Sequence, residues 1–144
     1  MLLDLFAIAA GTIAVATYHR NARVRRAEWL SSLHAKFFET STYKGIRQIL
    51  EAKGDGYVTL CKALADNQTN DDVELFVDYL NFFEFVGSLR ELGQLSAEEI
   101  DRLFDYYLRQ LAGEPVIRQF VETQGFESLS DLFRVRTERG RGSR

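Results

Sequence analysis

Asn81 and Glu84 stand three residues apart inside a stretch that is apolar almost all round, residues 71–92. At that spacing an amide and a carboxylate share one face of a helix. Semi-buried there, both need hydrogen-bond partners. A carboxylate short of partners is a candidate ligand or proton site. The same pair fully bonded is a register pin, with Arg118 or an arginine from the basic segment near residue 20 as its partner. The structural reading is preferred, because every fold must satisfy the polar groups it buries.

Little else has catalytic spacing. A di-iron carboxylate bundle places a glutamate three residues before each histidine; here Ala16 precedes His19 and Ser31 precedes His34. Cys61 is the single cysteine, so an internal disulfide and a multi-cysteine zinc site are excluded. Between Leu60 and Lys62 it reads as a packed small residue. No Ser/His/Asp or Cys/His arrangement stands out, and no glycine-rich phosphate loop is present. These readings imply no metal, no cofactor and no enzymatic activity, with a small-ligand sensor or enzyme using Glu84 as the competing class.

The arginine-rich end is the other candidate. Arg134, Arg136, Arg139, Arg141 and Arg144 offer contacts to anionic lipid, RNA or an acidic partner. The alternative is a solvated, disordered end. No aromatic residue lies among them, so base stacking has no platform.

Charge is divided along the chain. Residues 1–50 carry seven Lys/Arg against three acids, residues 51–114 five against fourteen, and residues 115–144 six against four. The segments therefore stand at +4, −9 and +2, giving the overall −3. So acidic a middle argues against wrapping nucleic acid, which needs a broad positive surface. With 46% hydrophobic and 27% charged residues the chain is globular rather than disordered.

From residue 2 to residue 18 the one charged side chain is Asp4. As a helix that run reaches about 25 Å, a little short of the ~30 Å hydrocarbon core. His19, Arg20, Arg23, Arg25 and Arg26 follow at once. By the positive-inside rule they hold the rest of the chain in the cytoplasm, and Arg20, Arg23, Arg25 and Arg26 are candidate contacts for anionic lipid. A single-pass inner-membrane anchor is the expectation. A signal peptide ending at Ala14-Val15-Ala16, or a helix buried in an oligomer or lying on the membrane surface, are the alternatives. Ala7 and Gly11, with Ala10 and Ala14, form small-xxx-small pairs that would suit helix packing.

Around these candidates the periodicity is helical throughout. Residues 20–38 continue the first helix as a stalk; Thr40, Ser41 and Thr42 offer a cap for a second helix through Lys53, and Gly54-Asp55-Gly56 is a turn. A short helix spans residues 57–65. Residues 71–92 form a helix apolar almost all round, hence central. Ser96 and Glu99 make a capping box for the next helix, Pro115 starts another, and a last one covers residues 127–136. The fold class is all-α: a transmembrane helix (1–18) and basic stalk (19–39), then a compact multi-helix cytoplasmic domain (40–137) and a disordered tail (138–144).

Tyr79-Leu80-Asn81-Phe82-Phe83-Glu84-Phe85-Val86-Gly87, followed by the aromatic run Leu103-Phe104-Asp105-Tyr106-Tyr107-Leu108, resembles a bacterial and phage family, domain of unknown function 4760. The resemblance implies an N-terminal membrane helix, a basic juxtamembrane stretch and a small helical body, and carries over no activity. Residues 134–144 lie outside it. The resulting expectation is an interaction or scaffold module that works through self-association or a protein partner, with the bilayer as its other partner. An alternative is membrane-tethered binding of RNA or anionic lipid by the tail.

Overall fold

The computed structural model describes the backbone of residues 2–141 and the side chains of residues 17–138. All seven elements are helices, and no strand occurs among the described residues. Residues 1–38 and residues 39–144 form two units.

The first unit is built on α1 (Leu2–Glu39), an unbroken helix in which no proline interrupts the backbone hydrogen bonds. Arg26 lies 5.0 Å from the centre of the Trp29 ring, and His34 and Phe38 approach at 4.3 Å between ring centres. Tyr18, His19, Arg20, Arg23 and Arg25 are exposed, and Arg26 is half-buried.

The expected transmembrane anchor is corrected here. Among the described residues no helix is long and apolar enough to cross a membrane. A span needs about 20 consecutive apolar residues, and from His19 onward α1 is charged and solvated. The single-pass inner-membrane placement, which rested on that span, is corrected with it. The packing face of Ala7, Ala10, Gly11 and Ala14 lies outside the described side chains.

The second unit contains α2 (Ser41–Ala52), α3 (Asp55–Ala65), α4 (Asp71–Glu91), α5 (Ala97–Gly113), α6 (Pro115–Gln124) and α7 (Glu127–Arg141). Local chemistry sets most of their ends. The Asn70 side chain accepts from Val73 N at 2.9 Å, and the Ser96/Glu99 capping box is complete at 3.2 and 2.8 Å. Pro115 occupies the first turn of α6, where a missing N–H costs nothing, and Gly125 closes that helix at φ +79°.

α4 is the centre. It buries Val73, Phe76, Tyr79, Leu80, Phe82, Phe83, Val86 and Leu89. Phe104 of α5 meets Phe82 and Phe83 edge-on at 5.5 and 5.9 Å between ring centres. Such T-shaped pairs add about 0.5–1.5 kcal/mol each to the burial itself. α2, α3 and α7 pack directly against α4, and α7 also touches α5 and α6.

Candidate functional site

Glu84 leaves α4 toward the start of α7. Its Oε1 accepts the Ser128 amide at 3.1 Å and its Oε2 accepts the Leu129 amide at 2.8 Å. These are the second and third residues of α7, whose first amides have no intrahelical partner. The residue before α7 is Phe126, which has no side-chain acceptor to offer. A glutamate from another helix therefore does the capping, with its charge at the positive end of the α7 dipole.

The surrounding joint is polar and close. Ser128 Oγ donates to Glu91 Oε1 at 2.7 Å and lies 3.4 Å from Ser88 Oγ, and Ser88 Oγ donates to the Glu84 carbonyl at 3.0 Å. Gly87 makes the approach possible, because a Cβ there would meet the Ser128 Cβ at 2.7 Å. Each oxygen of the Glu84 carboxylate thus accepts one backbone amide. Backbone amides hold it, rather than the arginine expected from the sequence. Arg118 instead donates to the Ala112 carbonyl at 2.7 Å.

Asn81 does not join it. It is exposed, so the expected buried pair is corrected to one half-buried carboxylate and one solvated amide. The helix is apolar almost all round in sequence yet not buried all round. At about 100° per residue, Asp78, Asn81 and Phe85 fall on one strip of α4, which Leu92, the residue capping its C-terminal end, extends. All four are exposed, Phe85 at 51% and Leu92 at 73%. Glu74 continues the strip at its other end and is also exposed. There it borders a groove of about 390 Å³ lined by Asn67, Val77, Asp78, Phe120 and Gln124 among others.

The tail candidates separate. Arg136 is corrected from a solvent-facing contact to a buried group: its Nη2 donates to Asp101 at 2.8 Å, its Nε to Asp105 at 3.2 Å and its Nη1 to the Leu132 carbonyl at 3.0 Å. Arg134 is exposed and paired with Asp131 at 3.0 Å. The α7 backbone stays helical to Arg141, while the side chains of Arg139, Arg141 and Arg144 lie outside the described residues.

Two constellations escaped the sequence reading because their members are far apart in the chain. Arg47 of α2 is buried, with its guanidinium 5.9 Å from the Tyr107 ring centre. Lys53 pairs with Glu114 and lies 4.6 Å from the Tyr57 ring centre. Hydrogen bonds from Lys53 and Tyr57 hold the Glu114 carboxyl below its ordinary range. Burial, then the hydrogen bonds to Glu114 and Cys61, push the Tyr57 hydroxyl up. Lys53 adopts φ +51° at the end of α2, a signal no local motif announces. No group of three or more His, Cys, Asp or Glu suited to a metal ion occurs among the described residues.

The model of a domain of unknown function (DUF4760) matches residues 4–110, and the chain belongs to that family. No curated protein and no solved structure matches it. Glu84 and Gly87 fall inside the matched span, whereas Ser128 and the whole of α7 fall outside it.

Proposed function

We propose that this member of the DUF4760 family is an interaction module that docks a protein, either a partner or a second copy, on the exposed strip of α4. The observation that carries the reading is the placement of Phe85 and Leu92. They lie seven residues apart, about 10 Å along one side of the helix, and more than half of each is open to water. A single exposed apolar residue is unremarkable, but an aligned pair on a central helix matches the anchor spacing of helix recognition. The competing reading, a ligand-sensing or catalytic Glu84, has less support because both of its oxygens accept backbone amides.

A photo-crosslinking amino acid at position 85 of the full chain tests this in cells. The expected result is a discrete protein adduct, self or partner, that disappears with Leu92→Glu. The control carries the same group at Gln119, a polar site on α6. Equal labelling at both positions would count against the module.

A further inference from the structure

The strip on α4 is chemically divided along its length. Toward the start of the helix it carries Glu74 and Asp78, both exposed; toward the end it carries Phe85 and Leu92. Neither Glu74 nor Asp78 forms an ion pair among the described residues, although Asp78 is close enough to Tyr43 to raise its hydroxyl further after burial has done so. α4 contains one cation, Arg90, and its position in the helix turns it about 140° away from Phe85. Three acids crowd the first turn: Asp71, Asp72 and Glu74. They sit in the segment, residues 51–114, whose charge is −9.

We infer that the occupant of this strip is a cationic amphipathic helix of a protein partner, apolar where it meets Phe85 and Leu92 and carrying Lys or Arg where it passes Asp78 and Glu74. The inference rests on the reading of the strip as an interaction surface and adds its selectivity. A helix is the matching shape because anchors at i and i+7 repeat the period of a helical partner. No strand edge exists among the described residues for an extended peptide to join. The groove of about 390 Å³ beside Asp78, with Val77 and Phe120 in its wall, gives room for a further apolar side chain next to the acids. The charge term would set partner choice and encounter rate more than gross affinity.

The experiment titrates the full chain into a fluorescein-labelled Leu/Lys amphipathic model peptide and into its analogue with glutamine for every lysine. The expected result is about tenfold tighter binding of the lysine peptide at low salt, a gap that closes as salt rises. Glu74→Lys with Asp78→Lys should weaken the lysine peptide about fivefold and leave the glutamine analogue unchanged. Phe85→Glu with Leu92→Glu should abolish binding of both. Equal binding of the two peptides, abolished by the Phe85/Leu92 pair, would overturn the charge selectivity while leaving the interaction surface standing. Binding that survives the Phe85/Leu92 pair would place the peptide elsewhere and overturn the inference. So would a mass that doubles with protein concentration and blocks the peptide, because the occupant would then be a second copy.

Discussion

Gly87 on α4 and Ser128 on α7 approach so closely that a Cβ on the glycine would lie 2.7 Å from the serine Cβ and 2.8 Å from its carbonyl oxygen. The second of these contacts is with backbone, which cannot swing aside. Gly87→Ala should therefore destabilise the chain by about 1–3 kcal/mol, despite the ~1 kcal/mol alanine gains as a helix former. Gly45 provides the contrast, a helical glycine whose added methyl would meet no heavy atom within 4 Å. Gly45→Ala should stabilise by about 0.5–1 kcal/mol. Urea midpoints of the two variants, moving in opposite directions at unchanged slope, check both statements.

Glu84→Ala removes the acceptor for two amides of α7. The expected loss is about 1–2 kcal/mol, the size of a removed helix cap. Hydrogen exchange localises it: amides 128 and 129 should lose protection while the α5 core around Phe104 keeps its own. Uniform loss across the chain would mean that Glu84 does more than cap.

Arg136 has only 5% of its side chain exposed, whereas its partners Asp101 and Asp105 keep 31% and 25%. Breaking one side of such a pair strands the charge that remains. Asp101→Asn with Asp105→Asn should cost about 2–3 kcal/mol, less than a fully buried pair because both acids are part-solvated. Arg136→Met should cost less than the double change, since it leaves no buried charge behind. Thermal denaturation of both variants gives the order.

The Lys53–Glu114–Tyr57 cluster predicts two pH windows of opposite sense. Glu114 is held below its ordinary 4.5, so its contribution is present above that pH and is lost as pH falls through its lower folded value. Tyr57 is raised above 10.0, so its contribution is complete below that pH and is lost as pH rises beyond it. The stability difference between wild type and Glu114→Gln should be flat through neutrality and shrink in acid. For Tyr57→Phe the difference should be flat to about pH 10 and shrink in alkali. A Glu114→Gln difference that did not change with pH in acid would refute the assignment.

Much of the helix order was legible because its signals are local. Asn70, Ser96, Glu99, Pro115 and Gly125 act on backbone groups within a few residues, so each boundary could be read without knowing the fold. The last helix is longer than its sequence pattern, reaching Arg141 rather than residue 136. Asn81 departs from its expected burial because an apolar pattern on every side of a helix does not require a neighbour on every side. Asp78 and Phe85, next to it at helical spacing, are exposed with it. Gly87 did carry a signal, a glycine inside an otherwise strong helix, which implies a close neighbour without identifying one.

By itself, then, the sequence determined an all-α chain with most of its helix starts and stops, the charge asymmetry between its segments and the family to which residues 4–110 belong. These follow from periodicity, capping and composition, which act over a few residues or need no geometry at all. Only the tertiary structure decided that Glu84 caps a helix more than forty residues away, that Arg136 is buried between two aspartates and that Phe85 and Leu92 remain in water. Each of these depends on which helix packs against which side of α4. That choice is made by the summed burial of side chains from six helices, and no spacing within one helix encodes it.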